Sequence, residues 1–231
     1  MPGNTRVSIV IPALNEEKSI GTVINDIPRD FVDEIIVVDN GSNDNTAQVA
    51  VNLGARVIEE PVKGYGSACM KGISMLHPDT EIVVFIDADY SDYPQDINAV
   101  LQPLLTGKAD LVIGSRMSGT REKGALLPQA IIGNKLAAFL LRLIYGFSYT
   151  DLGPLRAIRY NDLTGLGMRD TNYGWTVEMQ IKAIQKGLRV IEVPVRYRKR
   201  IGKSKITGTI RGTFGAGVKI IYTIIKYSFF G

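Results

Sequence analysis

The apolar positions change period along the chain. Val7-Ser8-Ile9-Val10-Ile11 is a short, β-branched, nearly continuous apolar run, the pattern of a strand buried on both faces. Residues 16–27 then place Ile20, Val23, Ile24 and Ile27 on one face at helical spacing. The alternation repeats: strands over 34–38, 56–59, 82–86 and 110–114, with helices over about 43–53, 66–76 and 95–105. Asn43-Asp44-Asn45-Thr46 supplies side chains suited to capping the second of these helices. Strands alternating with helices predict a mostly parallel sheet covered on both faces, a three-layer α/β/α arrangement.

The second half is less regular. Residues 128–145 read as a long apolar helix, 155–159 as a strand, 175–186 as a helix stopped by Gly187, and 188–195 as a strand. A last helix is expected from about 206 to 227. With no internal repeat, low-complexity segment or linker, residues 1–205 read as one domain. Residues 206–231 read as a basic amphipathic helix packed on that domain or on a membrane surface.

Composition narrows the picture in two places. The single cysteine, Cys69, excludes an intramolecular disulfide, which fits a reducing compartment. The net charge of +4 is uneven: residues 186–226 hold eleven Lys/Arg and one acid, Glu192, while the remainder holds 16 bases and 22 acids. A basic tail on an acidic body points to an anionic partner. The first residues are polar, and the apolar run after them is too short for a signal peptide.

In open parallel sheets, ligands bind beyond the carboxyl ends of the strands. Three acidic features fall there: Asn15-Glu16 after the first strand, Asp39 at the end of the second, and Asp87-Ala88-Asp89 at the end of the fourth. Carboxylates gathered at one edge repel each other, a cost that a cation offsets. Two carboxylates two residues apart can share one hard divalent ion that keeps positions open for phosphate oxygens.

The stretches Val7 through Glu17, Glu34 through Thr46 and Phe85 through Asp89 resemble, in order, the motifs of the family 2 glycosyltransferases, and most of all the dolichyl-phosphate mannose and glucose synthases. The likeness runs over residues 7–205. It implies the Rossmann-like GT-A fold and inverting sugar transfer from a nucleotide-sugar. On that likeness Asp39 would contact the donor base, with Pro12, Asn15 and Glu16 beside it. Asp87 and Ala88 would lie at the nucleotide, and Asp89, with Asp87, would hold Mg²⁺ or Mn²⁺ on the diphosphate. Lys63-Gly64-Tyr65-Gly66 resembles the family's Gly-rich turn, whose glycines allow close backbone approach and whose Lys63 can reach a phosphate.

On the acceptor side, Gly114-Ser115-Arg116 resembles the lipid-phosphate branch, where the arginine helps hold phosphate; an arginine's planar fork suits phosphate oxygens. Within the basic run 198–205, Arg198, Lys203 and Lys205 are the candidate phosphate ligands. That branch tends to place a second arginine where Gln129 stands here, and Asn134 and Lys135 follow as substitutes. Asp151 and Glu178 match acids that lie near the site in relatives, as a base, a sugar ligand or a structural cap. A phosphate acceptor is already anionic and needs little help from a base. The missing Glu-Asp and Gln-x-x-Arg-Trp motifs argue against a processive synthase. The likeness favours UDP-glucose as donor, then GDP-mannose, with polyprenyl or dolichyl phosphate as acceptor.

No run reaches the ~20 apolar residues of a spanning helix. Residues 214–230 mix lysines with Tyr222, Tyr227, Phe229 and Phe230, which predicts peripheral attachment to a cytoplasmic membrane face. Three rival readings make different demands on the sequence. A dehydrogenase would need Gly-x-Gly-x-x-Gly after the first strand, where Pro12-Ala13-Leu14-Asn15-Glu16 stands instead. A nucleic-acid-binding tail would need a groove-reading module, and none is recognisable, so no nucleic-acid partner is expected. Transfer to a soluble acceptor would make Asp151 or Glu178 essential as base.

Overall fold

The structure is a computed structural model that describes residues 5–202 and 210–230. In chain order the elements are β1 (Val7–Ala13), α1 (Ile20–Asp26), β2 (Glu34–Asp39), α2 (Thr46–Asn52), β3 (Arg56–Glu59), α3 (Tyr65–Ser74), β4 (Ile82–Phe85), α4 (Ile97–Leu105), β5 (Leu111–Ser115), α5 (Pro128–Tyr145), β6 (Arg156–Arg159), α6 (Tyr160–Leu166), α7 (Trp175–Gln185), β7 (Val190–Pro194) and α8 (Ile210–Phe230). The strands form one seven-stranded sheet in the order β3-β2-β1-β4-β6-β5-β7. All pairings are parallel except those of β6, which runs against β4 and β5.

The continuous apolar runs follow from burial on both faces. On β1, Ile9 and Ile11 enter the core beneath α1, α2 and α4, while Val10 enters the core beneath α3 and α7. Each fully buried aliphatic side chain contributes roughly 1.5–3 kcal/mol. In the second core Trp175 is fully buried and meets Phe85 edge-on, with ring centroids 4.8 Å apart. Gly72 lets α3 press on the sheet: a Cβ there would meet Val10 Cγ1 at 2.4 Å.

Three expectations are corrected. The first helix starts at Ile20 rather than at 16; residues 17–19 form a turn in which the Glu16 carbonyl accepts from the N–H groups of Ser19 and Ile20 at 3.0 and 2.9 Å. The helix α6 directly follows β6 and was not foreseen. The turn glycines Gly64 and Gly66 make room for protein rather than for a ligand: a Cβ on either would lie about 2 Å from a carbonyl oxygen, that of Thr171 (2.1 Å) or Asp170 (2.0 Å). Gly64 also sits at φ +146, a region L side chains rarely adopt.

The last helix, expected from 206, is described from Ile210 onward; residues 206–209 lie outside the described residues. It lies along α5 and α7. Tyr145 donates to the Ile224 carbonyl at 2.8 Å, Gln185 to the Tyr227 carbonyl at 3.1 Å, and Tyr227 to Glu178 Oε1 at 2.5 Å.

Candidate active site

The carboxyl ends of β1, β2 and β4 meet at one edge, and their loops are tied together there. Asn15 adopts φ +51, its N–H donates to Ser42 Oγ at 2.9 Å, and its Oδ1 accepts from the Asn43 N–H at 2.7 Å. Asp39 Oδ1 accepts from the Ser42 N–H at 3.0 Å. Asn40 donates to the carbonyls of Glu60 and Val62, both at 2.8 Å, and accepts from the Gly64 N–H at 2.8 Å. The loop carrying Lys63 is thereby fixed against the end of β2.

Two adjoining cavities open at this edge, of about 360 and 320 Å³. Pro12, Glu16, Asn40, Lys63, Gly64 and Ala88 line the first. Arg116, Gln129, Asn134 and a largely apolar wall that includes Leu126, Leu127, Leu152 and Ile220 line the second. Tyr65, Asp87, Asp89, Tyr173 and Arg200 belong to both. Asn15 and Asp39 stand behind the first cavity rather than on its wall.

At the junction, Asp89 is nearly buried. Its Oδ1 accepts from the N–H and hydroxyl of Ser91, at 2.9 and 2.5 Å, and its Oδ2 faces Arg200 Nη1 at 3.0 Å. Arg200 Nη2 reaches Glu16 Oε1 at 2.6 Å. Asp87 Oδ1 and the Tyr65 hydroxyl are each buried without a hydrogen-bond partner. Burial first, and the charge of Asp89 second, push the Asp87 carboxyl up to about 7. Asp92, three residues beyond Asp89, is 1% exposed with both carboxylate oxygens unpartnered. Burial and then the charge of Asp87 push it up as well.

A hard divalent cation fits this corner. An orphaned, buried carboxylate oxygen on Asp87 stands two residues from Asp89, and such ions prefer oxygen ligands. Among the described residues no group of three or more His, Cys, Asp or Glu side chains could hold an ion. Asp87 and Asp89 would therefore leave several positions to phosphate oxygens and water.

Other expected site residues lie elsewhere than their motifs suggested. Asp151 is fully buried, and its carboxylate accepts from the Arg116 backbone N–H, Nε and Nη2 at 2.7–2.8 Å. Glu178 is fully buried and is taken by the N–H groups of Arg169 and Asp170, by Lys182 and by Tyr227. Neither presents an oxygen to a cavity, which corrects the reading of either as a base: Asp151 positions Arg116, and Glu178 holds the loop ahead of α7. Arg198 is also corrected. It stacks on Tyr90 and Tyr93, 3.3 and 3.9 Å from the ring centroids, and donates to the carbonyls of Tyr90 and Asp92. Both amide atoms of Asn134 are used to pin the backbone of Thr150 and Leu152. Lys203 and Lys205 lie outside the described residues. Sequence reasoning passed over Arg200, although it sits in the basic run, and Tyr65, although it sits in the Gly-rich turn.

The family model described as glycosyl transferase family 2 matches residues 8–160. An uncharacterized glycosyltransferase of Mycobacterium tuberculosis is 39% identical over 209 residues, covering 90% of this chain and 92% of that protein. A dolichyl-phosphate hexose transferase of Haloferax volcanii is 33% identical, covering 95% and 92%. Among solved structures, glucosyl-3-phosphoglycerate synthase of Mycobacterium tuberculosis, in complex with Mn²⁺, uridine-diphosphate and glucosyl-3-phosphoglycerate, superposes with a TM-score of 0.77 at 28% identity, covering 98% of this chain and 81% of that one.

Proposed function

The chain belongs to glycosyl transferase family 2, and on that premise we propose that it moves a hexose from a nucleotide-sugar to a polyprenyl or dolichyl phosphate. The observation that carries this reading is the pair of cavities joined at Asp87, Asp89 and Arg200, one at the sheet edge beside Glu16 and Lys63 and one lined by Arg116 together with Leu126, Leu127, Leu152 and Ile220. The donor nucleotide belongs in the first, near Asp39, with its diphosphate toward Lys63 and Asp89. The acceptor phosphate belongs on Arg116, and its isoprenoid along Leu126, Leu127, Leu152 and Ile220. UDP-glucose is the donor we favour, with GDP-mannose next. The Mn²⁺ and uridine-diphosphate bound by the mycobacterial synthase support a metal and a UDP-sugar.

In the transfer an acceptor phosphate oxygen attacks the anomeric carbon. The bond from that carbon to the diphosphate breaks, the nucleoside diphosphate leaves on the opposite side, and the configuration inverts. Mg²⁺ or Mn²⁺, when bound, supplies Lewis-acid stabilisation of the departing diphosphate. Asp87 and Asp89 would hold it. Asp151 keeps the Arg116 fork in one orientation, so binding the acceptor loses less side-chain freedom. With Asp151 and Glu178 closed off from both cavities, an acceptor that carries its own negative charge suits the site better than a hydroxyl that needs deprotonation.

No described helix is long and apolar enough to cross a membrane. Peripheral contact has a defined face, however. Exposed Ile132, Leu136, Phe139 and Leu143 recur every three or four residues along α5, with exposed Lys135 and Arg142 on one shoulder. On α8, packed against α5, exposed Val218, Tyr222 and Ile225 recur likewise beside Lys226. The apolar stripe continues into the second cavity through Leu127 and Ile220. An apolar stripe flanked by cations matches an anionic lipid surface. This widens the expected membrane element from the tail alone to α5 with α8.

A soluble, phosphate-bearing acceptor is the second reading, favoured by the likeness to the mycobacterial synthase. The test is transfer to a short-chain polyprenyl phosphate from a panel of UDP- and GDP-sugars with Mg²⁺ or Mn²⁺. A lipid-linked product from one donor is the expected result. Donor hydrolysis with no lipid product would move the acceptor to a soluble molecule.

A further inference from the structure

Arg200 stands where a cation would. Its guanidinium spans Glu16 Oε1 at 2.6 Å and Asp89 Oδ2 at 3.0 Å, it borders both cavities, and its Nε is buried without a partner. The two acids it joins are themselves held still. Glu16 Oε2 accepts from the Ser19 hydroxyl at 2.9 Å, and the Glu16 N–H is bound to Thr46 Oγ1 at 2.8 Å. Asp89 Oδ1 accepts twice from Ser91, and Oδ2 carries Arg200. The backbone around Arg200 is anchored on the same motif: the Arg198 N–H donates to the Ser91 carbonyl at 2.9 Å and the Ile201 N–H to the Asp89 carbonyl at 3.0 Å. A swing of the side chain therefore needs no movement of these two anchors.

We propose that Arg200 is a resident stand-in for the divalent cation: it bridges Glu16 and Asp89 in the donor-free protein, offsetting one of their two charges, and releases Asp89 to the metal when metal and nucleotide bind together. The freed guanidinium then pairs with the incoming diphosphate, while Glu16 remains its pivot. The inference rests on the donor reading above. Its physical basis is competition followed by cooperation. A guanidinium and a metal compete for the same carboxylate charge and repel each other, so metal alone must displace or weaken an ion pair. Metal arriving with a diphosphate offers the displaced arginine a new anion. Metal and nucleotide thus bind as a pair, and neither binds well alone.

The test is Mn²⁺ binding followed by electron paramagnetic resonance, without nucleotide and then with UDP or GDP, in the wild type, Arg200→Gln and Arg200→Lys. Without nucleotide, Arg200→Gln should bind Mn²⁺ on the order of tenfold more tightly than the wild type. With nucleotide, the order should reverse. Arg200→Lys reaches one carboxylate but cannot bridge two, so its gain in Mn²⁺ affinity should have the same sign and be smaller; it serves if the glutamine variant fails to fold. An unchanged or weakened Mn²⁺ affinity in the folded variants, while the wild type still takes up Mn²⁺ with UDP or GDP, overturns the stand-in role and leaves the transferase reading in place. A wild type that takes up Mn²⁺ with neither nucleotide overturns both.

Discussion

The first cavity is walled largely by loops that side-chain-to-backbone hydrogen bonds hold to one another; to the second, α5 and α8 and the leucines of two loops add apolar side chains. At the donor edge, Asn15, Asn40 and Asp39 spend their polar atoms on neighbouring loops, so the positions of Glu16, Lys63 and Asp89 are set by a polar network. At the acceptor cavity the ion pair of Arg116 with Asp151 lies between the end of β5 and the segment before β6, and α5 and α8, which help to line the cavity, carry exposed apolar side chains on their outer faces. A polar frame fixes atoms to within tenths of an ångström, as a diphosphate and an ion require. Apolar side chains beyond the charged junction accept chains of different length. The donor side should therefore be intolerant of change, and the acceptor side should be graded.

The largest effect expected is at Asp89. Asp89→Ala should lower sugar transfer by about 10²–10³-fold or more with every acceptor, measured as product from labelled donor. A loss confined to lipid acceptors would break the comparison. Next is Asp151→Asn, which leaves Arg116 as a buried charge without its partner. We expect a stability loss of about 3–5 kcal/mol, read from urea denaturation. Arg116→Lys keeps the charge and loses the fork; the acceptor KM should rise about tenfold while donor hydrolysis is unchanged. Smaller still is the outer face: Phe139→Asp with Leu143→Asp should reduce sedimentation with anionic vesicles several-fold, with an unchanged melting curve and unchanged transfer to a short-chain acceptor.

The smallest effect is in the pH dependence. Asp87 is raised to about 7 in the folded chain from an ordinary carboxylate value. The folded state therefore holds a proton that the unfolded state gives up, and stability from this group falls as pH rises from about 4 through 7. In metal-free protein, Asp87→Asn should flatten the fall in melting temperature between about pH 4.5 and 7. An identical slope in the variant would mean that Asp87 ionises freely.

Much of the sheet was readable because a strand buried on both faces must be mostly apolar, and β1, β2, β4 and β5 are, with polar residues chiefly at their ends. The short helix α6 escaped because Tyr160–Leu166 buries only Leu163 and Leu166, too few positions to set a period. The acids at the strand ends were legible for the same reason as the strands. Which base in the run 198–200 enters the cleft was not. Two tyrosines, Tyr90 and Tyr93, capture Arg198, and nothing in a row of basic residues announces that. Asp151 looked free because its partner Arg116 lies 35 residues earlier. An acid in a loop reads the same from sequence whether it faces a substrate or a buried arginine.

The reversed strand has a practical consequence. Because β6 runs against its neighbours, it is the segment before it, with Asp151 and Leu152, that reaches the ligand edge, while the segment after it, α6, emerges at the far edge. Asn161, Thr164 and Gly165 are exposed there. A tether attached through one of them would hold the enzyme on a sensor chip or bead with both cavities and the α5 face turned to solution, ready to meet vesicles from the side.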